Sequence, residues 1–341
     1  MLWFDLDNSP HVPLFRPVFN YLEDQGIDYF VTARNFAQTK ELLELFNIQH
    51  SLIGGHGGKS KFKKLINLFD RGNQLYKMVK KLPIKLAINH GSRTQLIAAK
   101  RLGIKAITML DYEYTEHYIF NLLANYLIMP VYIPDEYLKK NGFNLNKIIR
   151  YNGFKEELYL KYFKPDINFR KQLGITENTI LVVFRPPSMT GNYHDNKSEK
   201  LLIAGLNYFS QDKDVVCLIV NRTEYEKNFI LSKIKKQKNI KFLEKPVDGL
   251  QLLYAADYAI SGGGTMNREA ALLGTKTFSI FTGKRPYLDS FLQEQGRLTF
   301  IEKIEDFNKI EVKKDLNKKV PEFRNNLTKE IVEIFLDILK I

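Results

Sequence analysis

Runs of four to seven mainly apolar residues alternate with longer amphipathic stretches along the chain. In the first half the runs are LWFDL, YFVTA, HSLI, KLAIN, KAITML and YLIMP. The second half has ILVVF, VVCLIV, IKFL, DYAIS, TKTFSI and RLTFI. Each has the length of a buried strand, and helical spacing fills most of the gaps, as from Leu14 to Leu22 and from Thr39 to Phe46. Short strands alternating with helices predict parallel sheets made of βαβ units. Two such series in 341 residues predict two doubly wound, Rossmann-like α/β domains. The expected domains are 1–155 and 156–325, since Gly153 and Pro165 interrupt the pattern and a new series begins beyond them. Residues 326–341, apolar at Leu327, Ile331, Ile334, Phe335, Ile338 and Leu339, predict a closing C-terminal helix.

Composition narrows the class. An apolar share of 44% with 26% charged residues is globular rather than disordered. No apolar run approaches the roughly eighteen residues that cross a bilayer. Asp5 and Asp7 occupy the place where a signal peptide would be apolar. The single cysteine, Cys217, lies in the apolar run VVCLIV and reads as a buried thiol in a reducing, cytoplasmic compartment. A net charge of +13 favours polyanions without choosing among nucleic acid, nucleotide phosphates and an anionic membrane. Nucleic acid is not the expected partner, because no recognition motif is present and the aromatics are scattered.

The sharpest local signal is DYAISGGGTMNREAALLG. A strand runs into Ser261, Gly262, Gly263, Gly264 and Thr265, and a helix follows until Gly274. Three glycines admit a ligand close to the backbone, ahead of helix N–H groups with no partner of their own. That is an anion site suited to a diphosphate. Glu269, one turn on, can accept hydrogen bonds from ribose hydroxyls. Arg185, after the strand ILVVF, can neutralise a departing diphosphate. At the other end, DNSPHVPLF follows the first strand, offering His11 as a base on an acceptor hydroxyl or as a phosphate ligand, with Asp7 or Asp5 as the base instead.

DYAISGGGTMNREAALLGTKTFSI resembles the C-terminal half of GT-B glycosyltransferases and of UDP-N-acetylglucosamine 2-epimerases. INHGSRTQLIAAKRLGIKAITMLDYEY resembles the segment where those proteins pair a Gly-containing loop with an acidic loop one βα unit later. Through Asp5, His11-Val12 and Thr32-Ala33-Arg34, the layout is similar to an uncharacterised GT-B-like family of archaea and bacteria, a domain of unknown function. The resemblance implies a GT-B fold, two Rossmann-like domains facing each other across a cleft. It also implies a nucleotide-sugar substrate, UDP-linked by resemblance only, and neither metal nor cofactor. His56, His90 and His117 have no metal-ligand spacing with one another or with Cys217, in keeping with that.

Transferase and epimerase share this scaffold, so catalytic positions must separate them. Where the resembled epimerases carry Gly-Asp, a Glu and His-Arg, this chain reads Gly91-Ser92, Asp111 and Phe184-Arg185. Ser and Phe cannot shuttle a proton near neutral pH. The expected activity is therefore glycosyl transfer to a glycan- or lipid-linked acceptor, with Asp111 kept as an acid. An epimerase-like enzyme is the alternative, and a non-catalytic nucleotide- or nucleic-acid-binding protein a second one. LIGGHGGKSKFKK around His56 reads as a loop able to act as a lid. Residues 59–81, with an apolar stripe at Phe62, Leu65, Ile66, Phe69, Tyr76 and Val79, predict a basic helix. That helix either packs on the sheet or lies on the inner face of an anionic membrane.

Overall fold

The computed structural model describes residues 1–36, 38–55, 61–187, 196–235, 237–245, 247–315, 318–319, 321–324 and 326–340, without the side chains of 61–65. The expected lid around His56 lies outside the described residues. The chain forms two compact units, one of residues 1–161 with 324–341 and one of 162–323.

In unit 1 the strands are β1 (Leu2–Leu6), β2 (Tyr29–Ala33), β3 (Ser51–Leu52), β4 (Leu86–Asn89), β5 (Lys105–Met109), β6 (Tyr126–Pro130) and β7 (Ile148–Tyr151). Its helices are α1 (His11–Asp24), α2 (Thr39–Leu45), α3 (Lys61–Val79), α4 (Arg93–Leu102), α5 (His117–Leu123), α6 (Asp135–Lys140) and α7 (Glu157–Leu160). Unit 2 contains β8 (Ile180–Arg185), β9 (Val215–Ile219), β10 (Ile240–Phe242), β11 (Tyr258–Ser261), β12 (Lys276–Ser279) and β13 (Leu298–Phe300). Its helices are α8 (Phe169–Gln172), α9 (Asn196–Phe209), α10 (Glu224–Lys233), α11 (Gly249–Ala255), α12 (Gly264–Leu272) and α13 (Tyr287–Glu294). The last helix, α14 (Leu327–Lys340), belongs to unit 1.

Both sheets are parallel, in the order β3-β2-β1-β4-β5-β6-β7 and β10-β9-β8-β11-β12-β13. Strand order reverses between β1 and β4 in one and between β8 and β11 in the other. At such a switch point the connections leave in opposite directions and open a crevice beyond the strands' carboxyl ends. The central strands are apolar on both faces because helices cover both, and every residue of β1 is buried. Phe4 packs edge-on to Phe15 and Phe19 of α1, and to Phe335 of α14 at 6.2 Å between centroids. Burial of Leu327, Ile331, Val332, Phe335 and Ile338 fixes α14 there, each such side chain contributing about 1.5–3 kcal/mol.

Two elements depart from the pattern reading. IIRY forms β7, a half-buried edge strand where no strand was expected. Helix α3 keeps only the end of the expected stripe inward, Val79 buried and Tyr76 half-buried, and turns Arg71, Gly72 and Leu75 to the core beside it. Ile66 and Phe69, by contrast, are 44% and 57% exposed. Gly72 allows that approach, since a Cβ there would stand 3.2 Å from Ile97 of α4.

Candidate functional site

In unit 1 the site starts from a charge in the middle of a buried strand. Asp5 is fully buried in β1, and an isolated carboxylate there would ionise at large cost. Arg71 answers it with a bidentate pair, Nη1 to Oδ2 and Nη2 to Oδ1, both 2.8 Å. The hydroxyl of Thr32 donates to Oδ1 at 2.7 Å and that of Ser92 to Oδ2. Trp3 Nε1–H donates to Thr32 in turn, at 2.9 Å. Asp5 is thereby a structural centre, its oxygens committed to protein donors.

The loops beyond it carry further titratable groups, buried or half-buried. After β1, the backbone N–H of Asp7 donates to His11 Nδ1 at 3.2 Å. That bond makes Nδ1 an acceptor, so the ring proton of neutral His11 sits on Nε2. Burial, then the neighbouring His90 and Lys155, hold the His11 pKa well below the ordinary 6.5, against the pull of Asp111. His11 is therefore poised as a neutral Nε2–H donor. Asp7 shows the opposite perturbation. Enclosure raises its carboxyl above the usual range, Arg71 draws it down, and Asp5 adds to the rise. Its Oδ1 accepts no hydrogen bond and stands 3.5 Å from Arg71 and 3.7 Å from Arg34.

After β4 the chain turns at Gly91 (φ +76°) and Ser92 caps α4. Asn89 holds the turn through the Ser92 N–H at 2.8 Å. His90, just before it, lies 5.0 Å from His11 between ring centroids and 3.3 Å from Asp111 through Nε2. Asp111, after β5, receives Lys155 Nζ at 2.6 Å. His11, Asp7, His90, Asp111 and Lys155 thus gather at the carboxyl edge of this sheet, the first four on the β1, β4 and β5 loops around the switch point. Lys155 was missed in the sequence because it follows the unrecognised strand β7.

Unit 2 has a corresponding centre at its own switch point. β11 ends at Ser261, whose Oγ takes the N–H of Gly263 at 3.0 Å. Gly262 N–H bonds Arg185 O at 3.2 Å, tying the ends of β11 and β8 together. A Cβ at Gly262 would stand 2.7 Å from Pro187 Cβ and 2.8 Å from its Cα, so only glycine fits. α12 then starts at Gly264 with no side chain capping it, leaving its first N–H groups directed outward. The buried pair Arg268–Asp289, 3.0 Å apart, pins α12 to α13 and fixes the direction of that terminus. Gly274, at φ +80°, closes the helix in the αL conformation that glycine tolerates.

Two guanidiniums converge on this turn. Arg185 donates to Val220 O at 2.9 Å and Arg222 to Pro186 O at 2.7 Å. Burial and then the like charge of Arg222 push the Arg185 pKa down to about 10, with Glu226 and Glu269 opposing. Glu269 is half-buried on α12, near enough to bear on Arg185. Thr265 is half-exposed in the first turn. Arg222 was not singled out from the sequence, although Thr223 and Glu226 behind it have the spacing of a helix start. Thr223 does cap α10 through the Glu226 N–H. Elsewhere in unit 2 a groove of about 790 Å³ runs along α9, α10 and the 304–309 turn, and it contains none of the groups expected to act.

Among the described residues no group of His, Cys, Asp and Glu could hold a metal ion. Nor, among them, is any helix long and apolar enough to cross a membrane. Cys217 is buried in β9 and its thiol is pushed up to about 12 by that burial, which leaves it inert.

Residues 1–340 match the model of a family described as "Protein of unknown function (DUF354)", and the chain belongs to that family. The uncharacterised protein MJ0665 of Methanocaldococcus jannaschii is 29% identical over 304 residues, 87% of this chain and 86% of that protein. Among solved structures, the UDP-GlcNAc 2-epimerase of the same organism, in complex with UDP-GlcNAc and UDP, superposes with a TM-score of 0.75 at 17% identity, covering 98% of this chain and 99% of that one. The Staphylococcus aureus MnaA–UDP co-structure gives 0.76 at 12% identity, covering 100% and 98%. The two parallel α/β sheets therefore form a GT-B-like fold, that of nucleotide-sugar enzymes.

Proposed function

Starting from a DUF354 chain with the fold of nucleotide-sugar enzymes, we propose that it is a glycosyltransferase using a nucleotide-sugar donor, UDP-linked as in the ligands of the compared structures. The observation that carries the reading is in unit 2: an uncapped helix terminus and two like-charged guanidiniums, Arg185 and Arg222, meet at one glycine turn. Partial positive charge from the α12 dipole and two full charges from arginine call for a dianion. In this reading Ser261, Gly262, Gly263, Gly264 and Thr265 receive the diphosphate, and Glu269 accepts from the ribose hydroxyls.

Unit 1, taken by itself, holds groups suited to proton chemistry. Asp7, its pKa raised and one oxygen without a hydrogen bond, takes the proton of the acceptor hydroxyl. The acceptor oxygen bonds to the sugar's anomeric carbon, and the bond from that carbon to the diphosphate breaks. The leaving negative charge settles on Arg185 and Arg222. His11 donates through Nε2–H to a substrate oxygen, and Asp111, held by Lys155 and His90, fixes the local charge. The exposed Ile66 and Phe69 of α3, with Lys77, Lys80 and Lys81 beyond them, support a peripheral contact with an anionic membrane for lipid-linked acceptors.

Epimerisation is the second reading, favoured by the likeness to the epimerases of known structure. Against it, Ser92 is buried and bonded to Asp5, and Phe184 is fully buried in the core of unit 2. Neither can exchange a proton with a sugar carbon. The test is calorimetry with UDP on Glu269→Ala, which should lose about 1.5–3 kcal/mol of binding as a charge-assisted hydrogen bond goes. Unchanged affinity would remove Glu269 from the site. Incubation with UDP-N-acetylglucosamine in heavy water should leave the sugar's C2 hydrogen in place, and deuterium there would favour the epimerase.

A further inference from the structure

The β1 and β4 loops of unit 1 hold hydrogen-bonding atoms that the protein itself leaves unused. In Asp7, Oδ1 is buried against Arg71 and Arg34, at 3.5 and 3.7 Å, so the side chain's 26% exposure lies toward Oδ2. In His11, Nδ1 accepts the Asp7 N–H, which places the ring proton on Nε2. In His90, Nε2 is buried 3.3 Å from Asp111 Oδ1, off the line of a good hydrogen bond. A bare ring nitrogen there would set its lone pair against those of the carboxylate. Nε2 of neutral His90 therefore carries the proton, and Nδ1 keeps the lone pair. Among the described residues Asp7 Oδ2, His11 Nε2–H and His90 Nδ1 have no hydrogen-bond partner. The two imidazoles are 5.0 Å apart between centroids, and His11 is tied to the Asp7 backbone, so the three atoms belong to one cluster.

Two acceptors and one donor select their ligand. A hydroxyl both donates and accepts. Two neighbouring hydroxyls can donate to Asp7 Oδ2 and His90 Nδ1 while one of them accepts from His11 Nε2–H. A phosphate only accepts: it would satisfy His11 alone and set its charge against the other two atoms, leaving them desolvated and unmatched. Nor does a cation of the cluster stand without a carboxylate. Arg71 and Arg34 face Asp7, Arg71 also pairs with Asp5, Lys155 with Asp111 and Arg93 with Glu116.

We propose that Asp7, His11 and His90 form a subsite for the vicinal diol of a sugar, so that the acceptor presents sugar hydroxyls to unit 1 rather than a phosphate. The role as acceptor rests on the glycosyltransferase reading; the binding does not, and is tested without nucleotide. Nitrogen-15 NMR of the full chain labelled at histidine reads the atoms directly, at about pH 8, above the ordinary histidine value. His11→Gln and His90→Asn assign the two rings. Both should carry their proton on Nε2, and an Nδ1–H tautomer of His90 overturns the proposal. Methyl glycosides of glucose, mannose, galactose and N-acetylglucosamine are then added at millimolar concentration, with inorganic phosphate as the anion. At least one glycoside should shift both rings, and phosphate should leave them in place. No response to any glycoside, or a larger one to phosphate, overturns the subsite. These readings use the unmodified chain and do not depend on a variant folding. His90→Phe should weaken the best glycoside about tenfold, the worth of one good hydrogen bond. His90→Asn, whose amide oxygen can stand near the place of Nδ1, should keep it within about threefold. Equal weakening by both, or none by Phe, overturns the acceptor role of His90. A thermal shift with UDP separates the two readings. Glycoside response without UDP binding supports the subsite and overturns the donor reading, and UDP binding without glycoside response does the reverse.

Discussion

Replacing Arg71 by Met removes the only cation in hydrogen-bond contact with Asp5 among the described residues while keeping much of the side chain's apolar length. The pair is 5% and 0% exposed and bidentate at 2.8 Å in both arms. With Arg71 gone, Asp5 retains only the hydroxyls of Thr32 and Ser92, and a charge inside the sheet loses its counterion. Breaking one side of a buried pair costs about 3–5 kcal/mol. The lost bond from Arg71 Nε–H to Ile53 O adds about 1 kcal/mol. Such a loss is a large part of the roughly 5–15 kcal/mol that holds a typical domain. The chain's one tryptophan reports on the place directly. Trp3 lies in β1 and donates to the same Thr32 that donates to Asp5. Urea unfolding followed by Trp3 fluorescence should show the midpoint falling sharply for Arg71→Met, with Asp5→Asn in the same background restoring much of the loss by removing the stranded charge. A loss under about 1 kcal/mol, or a double variant no more stable than the single, would refute the account of a buried charge neutralised by α3.

His11 should titrate well below the ordinary 6.5 by proton NMR. The unfolded chain then takes up a proton below about 6.5 that the folded chain refuses, so this group's stability contribution is full above that pH and declines as pH falls toward the folded pKa. A His11 midpoint at or above 6.5 would contradict the assigned tautomer and burial. Gly262→Ala sets a methyl 2.7 Å from Pro187, so unit 2 should lose about 1–3 kcal/mol in denaturant unfolding as β8 and β11 are pushed apart. Its UDP affinity should fall with it, and unchanged stability would show that the turn can give way.

What could be read from the sequence was decided by symmetry of environment. YLIMP and ILVVF stand out as strands because helices cover both faces and nearly every residue is buried. IIRY escaped because it is an edge strand, three of its four residues only partly buried, with an arginine that reaches the carbonyls of Pro130 and Ile133. The phase of α3 was misjudged for a different reason. Its inward face is set by Arg71 pairing with Asp5 across 66 residues, and periodicity treats an arginine as polar wherever it points. The glycine turn was legible because local backbone demands produce it. Lys155 and Arg222 were not, since each gains its place only when separate loops meet at a sheet edge.

Helix α14 gives the first unit an unusual order of assembly. Phe4 lies in the first strand and Phe335 in the last helix, yet their rings share one core. Residues 162–323 are an insertion within that body, entered and left by the chain once each. During synthesis the inserted unit has all its strands before the surrounding one has its final helix, reversing the usual N-to-C sequence of domain completion. Until α14 arrives, the apolar surface of Phe4, Phe15 and Phe19 lacks one of its layers, and the earliest-made half of the protein waits longest to close.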